Sequence, residues 1–166
     1  EGNTPAWGAV YEQYFQEIDK VKGQKGVLSV EKKLFVETNN GTNCQIRPVT
    51  PEQPLRIGDK VIVRLTIRTD REMNYVFLKD LRAGCFEPAD QLSGPESRDG
   101  IWYYRSPKDV SENFFINRLP EGTFVLEYPV YVSRSGEYAG GISTIQCMYA
   151  PEFVSHTAGE SLRIMP

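Results

Sequence analysis

The chain is poor in the residues that build catalytic and metal centres. It has one histidine, His156, and three cysteines, Cys44, Cys85 and Cys147, none of them in a Cys-x-x-Cys pair. A zinc ion takes about four N, S or O ligands, so we expect no zinc site. An odd number of cysteines is not a complete disulfide framework. We therefore expect either three buried thiols or one disulfide, with Cys85–Cys147 as the candidate pair, and one free thiol.

The sequence also lacks long apolar runs and a strong excess of one charge. No apolar run approaches the roughly 18 residues that a membrane span needs. The chain has 19 Lys and Arg residues and 22 Asp and Glu residues, which gives a net charge of −3. A nucleic-acid-binding domain, by contrast, normally carries a basic patch. We expect no nucleic-acid partner and no membrane insertion. The chain begins at Glu1 and not at Met, so the missing signal peptide says nothing about export.

The remaining composition is that of a globular domain. Of 166 residues, 40% are hydrophobic and 25% are charged, which is typical of chains that bury a core. At this length a core can form without disulfides or a metal. We expect no cofactor.

Apolar residues alternate with polar ones along most of the chain, which predicts strands with one buried and one wet face. The alternation is clearest at 27–37, 60–68 and 124–132, and Asn-Gly at 40–41 favours a hairpin turn. Shorter strands are predicted at 44–49, 75–80, 102–104, 114–116, 142–148 and 161–165. Turn residues separate them, the pattern of an antiparallel β-sandwich. We predict polar contact loops at 89–100 and 105–113.

The N-terminal segment is ambiguous. Apolar residues in 6–21 recur at helical spacing, yet their aromatic and β-branched character also suits a strand. Gly23 and Gly26 then interrupt the pattern. We predict a linking segment at 1–24 and the sandwich domain at 25–166.

Cys85 is the first candidate for chemistry, because Cys85-Phe86-Glu87 begins like an internal thioester motif. That motif needs glutamine next, since its carboxamide is the acyl donor to the cysteine sulfur. Here Pro88 follows and Gln91 lies three residues too late. A thioester is therefore excluded at this spacing, and we interpret Cys85 as a structural thiol at the end of a strand.

Three further groups are weaker candidates. His156 with Ser155 lacks the Gly-x-Ser-x-Gly elbow of a hydrolase, and we interpret it as a solvated loop histidine. Asp99, Asp109 and Glu112 lack the regular spacing of a calcium loop. Asn40-Gly41-Thr42 is formally a glycosylation sequon, but the hairpin turn explains it as well.

Aromatic residues raise the possibility of a sugar-binding platform. Most aromatic side chains in sandwiches belong to the core or to domain contacts, so packing is the simpler interpretation. A platform requires a solvent-exposed row on one sheet face. The candidates are Trp7, Trp102, Tyr103, Tyr104, Phe114 and Phe115.

Six spaced segments carry a family resemblance, namely 54–63, 70–76, 80–88, 113–124, 146–153 and 156–160. As a set they resemble the last macroglobulin-like, receptor-binding-type domain of bacterial alpha-2-macroglobulin family proteins. Together they cover about residues 27–166, and the set is more specific than any one element. The stretch from Trp7 to Phe15 also resembles the segment that enters this domain from the preceding one.

The resemblance implies a macroglobulin- or immunoglobulin-like all-β antiparallel sandwich within a large exported protease trap, in the periplasm or cell envelope. In that family a protease cleaves a bait region and the molecule collapses around it. The bait and thioester belong to other domains, so we expect a non-catalytic module without catalytic, cofactor or metal residues. Its partners would be neighbouring domains of the parent chain and, through the parent, target proteases. A free-standing carbohydrate-binding or adhesin-type sandwich and an enzyme using Cys85 or His156 are the alternatives.

Overall fold

The computed structural model describes residues 15–23, 25–39, 41 and 44–166. Within them a short 3₁₀ helix, Ile18–Lys20, precedes fourteen strands. The strands are β1 (Leu28–Asn39), β2 (Cys44–Pro48), β3 (Leu55–Arg56), β4 (Lys60–Thr69), β5 (Met73–Leu81), β6 (Phe86–Pro88), β7 (Gly94–Arg98), β8 (Ile101–Pro107), β9 (Ser111–Leu119), β10 (Gly122–Val132), β11 (Gly136–Ala139), β12 (Ser143–Cys147), β13 (Ala150–His156) and β14 (Ser161–Met165).

Two large sheets form the layers of a sandwich. One has the strand order β2-β1-β4-β10-β6, and the other has the order β13-β12-β5-β9-β8-β7. A third sheet, β11-β14-β3, lies beside them. Strand pairs are antiparallel except β14 with β3, which is parallel. The predicted all-β antiparallel sandwich is confirmed.

The core sits between the layers because alternating strands each direct one apolar face inward. In β4 and β10 every second residue is buried, in register across the two strands. Strand β1 contributes its own inward row and contacts β12 and β13 of the opposite layer. These inward residues are Leu28, Val30, Leu34 and Val36 of β1, Val61, Val63, Leu65 and Ile67 of β4, and Phe124, Leu126, Tyr128, Val130 and Val132 of β10.

Both predicted contact loops are wrong in part. The 89–100 stretch contains β7, an edge strand that pairs with β8. The 105–113 stretch is mostly strand, with a turn at 108–110, and Arg105, Glu112 and Asn113 are buried. An edge strand such as β7 can have a polar sequence, because its unpaired backbone edge and one of its side-chain faces meet water. Its sequence therefore resembles that of a loop.

A buried carboxylate, Asp80 of β5, joins both layers. Its oxygens accept hydrogen bonds from Lys32 Nζ (2.7 Å), Ser143 Oγ (2.7 Å) and the Tyr128 hydroxyl. Lys32 Nζ also donates to the carbonyl oxygens of Leu81 (2.9 Å) and Gly140 (3.3 Å). Burial, then the charge of Asp80, raises the pKa of Tyr128 well above its ordinary value, so its hydroxyl stays a donor.

A second buried carboxylate, Glu112 of β9, lies between two arginines. Arg82 NH1 donates to one oxygen at 2.9 Å, and Arg105 Nε donates to the other at 2.6 Å. A buried charge persists only when it is paired and hydrogen-bonded. Both oxygens of Glu112 are therefore paired, whereas Arg82 Nε, Arg82 NH2 and Arg105 NH2 are buried without a hydrogen-bond partner among the described residues.

The segment before β1 folds back on the end of the chain. Gly159 N donates to Val21 O at 2.7 Å. The predicted boundary between a linking segment at 1–24 and a domain at 25–166 stays a prediction. In the described part of the chain, no helix has the length and apolar character needed to cross a membrane.

Candidate interaction surface

Four aromatic side chains lie on the outer face of the six-stranded sheet. Strand pairing aligns Phe77 of β5, Phe115 of β9 and Tyr104 of β8 in one row across the strands. Trp102 lies two residues from Tyr104 and therefore points to the same side. The exposed fractions are 72% for Trp102, 48% for Tyr104 and 40% for Phe115. We call these four residues the aromatic face.

The aromatic face is ordered by contacts within the sheet. The Phe77 and Phe115 rings stack with centroids 4.9 Å apart. A groove of about 440 Å³ runs beside Trp102, Tyr104 and Phe115, and Arg118 lies on its rim. Flat rings beside a groove offer large apolar contact area with little conformational entropy to lose. The Arg118 guanidinium is already paired with Glu72 at 2.7 Å.

The same alternation separates the aromatic candidates that the sequence grouped together. Tyr103 and Phe114 point into the core and contact each other edge to face, with centroids 5.7 Å apart. Their sequence neighbours Tyr104 and Phe115 point outward, and Trp7 lies outside the described residues. An exposed aromatic row therefore exists, and of the candidates it contains Trp102, Tyr104 and Phe115.

A second aromatic contact lies at the start of β5. Tyr75 has a φ of 56°, the left-handed region that L-residues with large side chains rarely adopt. Its ring meets that of Tyr149 edge to face, with centroids 5.0 Å apart, and both side chains are exposed. Backbone strain of this kind costs about 1–3 kcal/mol and persists where the surrounding structure enforces it.

Cys85 is fully buried, as the structural interpretation predicted. Its carbonyl oxygen accepts hydrogen bonds from Ser133 N (2.8 Å) and Ser133 Oγ (3.1 Å), which fix the loop. Burial raises the pKa of the Cys85 thiol to about 11. The thiolate is the nucleophilic form, and both the burial of Cys85 and the raised pKa of its thiol disfavour that form at neutral pH.

The other cysteines differ from each other. Cys147 is buried, and its Sγ lies 3.3 Å from Asn74 O. Cys44 is exposed, so the expectation of three buried thiols is wrong. All three are free cysteines, and the candidate Cys85–Cys147 disulfide is not formed.

His156 lies in strand β13 and not in a loop, which corrects the sequence interpretation. Its Nδ1 is 3.1 Å from Thr157 O. Ser155 is buried and His156 is half-buried. Adjacent residues of a strand point to opposite faces, so the two side chains do not form a dyad.

The three candidate calcium ligands do not form a set. Glu112 is committed to Arg82 and Arg105 in the core. Asp99 sits in a turn, where one carboxylate oxygen accepts a hydrogen bond from Val125 N at 3.2 Å. Among the residues that the structure describes, no group of three or more His, Cys, Asp or Glu side chains could hold a metal ion.

The predicted hairpin joins β1 to β2, with Asn39 opposite Cys44. Gly41 lies in its turn with a φ of 80°, a conformation that favours glycine. Asn40 and Thr42 of the sequon lie outside the described residues.

Comparisons with known proteins point to one family. Residues 28–152 match the model of the bacterial alpha-2-macroglobulin MG10 domain. A crystal structure of a Salmonella alpha-2-macroglobulin mutant superposes with a TM-score of 0.68 at 21% identity, covering 87% of this chain and 10% of that chain. Escherichia coli alpha-2-macroglobulin activated by porcine elastase gives 0.68 at 18% identity, covering 87% and 14%.

A curated relative also matches. Circularly permutated Ras protein 2 of Dictyostelium discoideum is 28% identical over 109 residues, covering 66% of this chain and 3% of that protein. The chain thus spans a small fraction of each protein that it matches. Since the MG10 match covers most of the sandwich and the solved structures share its fold, the chain belongs to the bacterial alpha-2-macroglobulin MG10 domain family.

Proposed function

We propose that the chain is a non-catalytic domain of an exported alpha-2-macroglobulin-like protease trap of the periplasm or cell envelope. It serves inter-domain packing and reaches target proteases only through the parent protein. Membership of the MG10 family supports the trap, and the rigid two-layer fold supports the packing role. The parent supplies the bait and any thioester.

The observation that carries the packing role is the aromatic face. Trp102 is 72% exposed beside half-exposed Tyr104 and Phe115 on a sheet that the core holds rigid. Contiguous exposed apolar surface marks an interaction site in most soluble proteins. Tryptophan and tyrosine are also the residues that dominate binding energy at interfaces.

The environments of the two reactive candidates support a non-catalytic role. Cys85 is buried with a raised pKa, and the His156 ring nitrogen Nδ1 is placed against a backbone carbonyl. An activated nucleophile needs an adjacent base and access to substrate.

The first test is the coding sequence of the parent protein. We expect further macroglobulin-like domains upstream of this chain. The second test replaces Trp102, Tyr104 and Phe115 together by alanine in that parent. Trapping is measured as protection of a protein-sized substrate from trypsin, while a small peptide substrate reports that trypsin stays active. We expect at least a tenfold loss of protection, the effect of about 1.4 kcal/mol of lost packing.

The matched control is Tyr131→Ala, which removes an exposed aromatic ring from β10 of the other sheet. We expect normal protection from that variant. An upstream sequence without macroglobulin-like domains would refute the trap. Normal protection by the triple variant would refute the packing role of the aromatic face.

A carbohydrate-binding sandwich is the second candidate, because the exposed Trp102, Tyr104 and Phe115 rings could stack on sugar rings. A glycan array probed with the 166-residue chain separates the two functions. Binding that disappears in the triple variant would favour the sugar platform, whereas a blank array would leave packing as the function of this face.

A further inference from the structure

We propose that the fold contains a peptide-binding slot in which an extended peptide adds as a strand to the free edge of β1. The slot lies between residues 30–35 of β1 and 160–163 at β14, and residues 48–55 close one end. It is separate from the aromatic face, which lies on the six-stranded sheet. We call it the edge slot.

The first half of β1 lacks a neighbour on one side. Strand β4 pairs with β1 from Leu28 to Glu37, but β2 pairs only with Phe35–Asn39. Leu34 O accepts a hydrogen bond from Val49 N at 2.9 Å, so even-numbered β1 residues direct their backbone groups to the β2 side. Backbone groups alternate sides along a strand, and hence Val30 and Lys32 present theirs to the slot. Among residues 15–23, 25–39, 41 and 44–166, these outward groups have no backbone partner.

The opposite wall is also an open strand edge. Strand β14 pairs with β11 along Ser161–Ile164, while on its other side β3 pairs only with the last two residues of β14. The loop that leads from β2 to β3 carries Pro51 and Pro54 across the end of the slot. Proline donates no hydrogen bond, so this loop closes the slot without filling its strand position.

The space is large enough for a peptide. Two depressions of about 490 and 810 Å³ share Lys32, Lys33, Leu34 and Glu160 and therefore form one trough along β1. Binding clefts in proteins span roughly 300–1,000 Å³. The walls combine apolar side chains such as Leu34, Phe35 and Leu162 with open backbone groups, the two requirements of recognition by strand addition.

Charge selects the occupant. Lys33 and Arg163 are exposed on the two walls, and in the described chain neither has a carboxylate within 4 Å. Glu160 is the opposing charge in the slot, and Glu137 faces Arg163 across the β11–β14 pair. Lys25 and Glu31 neutralise each other at 3.2 Å. After these pairings the slot lining keeps two cations, Lys33 and Arg163, against the single carboxylate of Glu160. This excess of positive charge favours an extended peptide in which apolar and acidic residues alternate.

The test uses the 166-residue protein and a capped six-residue peptide of alternating valine and glutamate, titrated by NMR. We expect the amide signals of Val30 and Lys32 to shift and to become protected from solvent exchange. The double variant Lys33→Glu/Arg163→Glu should bind at least tenfold more weakly. Lys79→Glu, an exposed charge reversal on β5 of the other sheet, should bind like the unchanged protein.

Two further probes separate strand addition from charge attraction. A valine–lysine peptide of the same length should bind at least tenfold more weakly. A valine–glutamate peptide with alternate backbone nitrogens methylated keeps its charge but loses half its donors, and it should bind more weakly as well. Equal binding of any of these probes, or no binding of the parent peptide, would overturn the proposal. Val30 and Lys32 amides already protected in the free protein would overturn it too, because the slot would then be filled.

Discussion

Removing the ammonium group of Lys32 should destabilise the sandwich more than removal of any surface lysine. Lys32→Met keeps most of the apolar stem but removes the charge from Asp80, which is fully buried. The carboxylate then retains only the Ser143 and Tyr128 hydroxyls. Breaking a buried pair by removing one partner costs about 3–5 kcal/mol, because the remaining charge is left unpaired. Such a loss is a large fraction of the roughly 5–15 kcal/mol of a typical domain.

The double variant Lys32→Met/Asp80→Asn removes both charges and separates pairing from packing. Asparagine keeps one acceptor oxygen for one of the two hydroxyls and presents its NH2 group, a donor, to the oxygen of the other, and no charge remains buried at this site. We expect the double variant to be at least about 2 kcal/mol more stable than the sum of the single losses predicts. The measurement is urea unfolding at neutral pH, from the midpoint and slope of each transition.

The control is the pair Lys60–Glu37, with the same kind of contact at 2.9 Å but in a half-exposed place. Lys60→Met should cost no more than about 1 kcal/mol. Raising NaCl from about 0.1 to 1 M should reduce the loss of unfolding free energy caused by Lys60→Met. The loss caused by Lys32→Met should stay the same, since salt screens buried pairs much less. If Lys32→Met costs no more than Lys60→Met, or if the two single losses simply add, the reasoning about the buried pair is wrong.

We expect the unfolding free energy to fall at alkaline pH because of the buried thiol of Cys85. The pKa of its thiol is raised from 9.0 to about 11. Its contribution to the unfolding free energy is therefore constant below about pH 9 and is lost as pH rises towards 11, because the unfolded chain releases the thiol proton first. In urea unfolding under reducing conditions, the protein should lose about 1.4 kcal/mol more than Cys85→Ala between pH 8 and 10; parallel pH profiles would contradict this. Gly141 has a φ of 74° and a Cβ there would lie 2.0 Å from Leu81 O, so Gly141→Ala should lower the unfolding free energy by more than about 2 kcal/mol. Gly100→Ala, with a φ of 82° and open space, should cost only about 1–2 kcal/mol; equal losses in thermal or urea unfolding would show that the predicted clash does not matter.

Period-two alternation was sufficient to locate the long strands. In β4 and β10 the inward residues are apolar except Thr69 at the end of β4, so the sequence predicts both the strand and its buried face. The same rule separates Tyr103 from Trp102 and Tyr104. Applied to the aromatic candidates, it would have identified the aromatic face before the structure did.

Other features carry no local signal. Strand β7, Gly94–Arg98, is polar and exists because β8 pairs with it, so its own residues predict a loop. The partners of the buried Asp80 lie far apart in the chain, as in its contact with Lys32, 48 residues away. The edge slot exists because β2 pairs with only part of β1, and no local residue pattern predicts where such pairing ends. Tertiary contacts decide all three.

The set of β5 side chains that faces the core changes at Tyr75. Met73 before it and Val76, Leu78 and Asp80 after it are all buried, although a regular strand would place Met73 and Asp80 on opposite sides. The left-handed φ of 56° at Tyr75 coincides with this change of parity, and the pairing of β5 with β9 skips both Tyr75 and Asn117 at that point. With a regular torsion there, Met73 and Asp80 could not both be buried. The reversal therefore lets one strand bury an apolar side chain at its start and the ionic centre near its end, while Phe77 stays on the outer face.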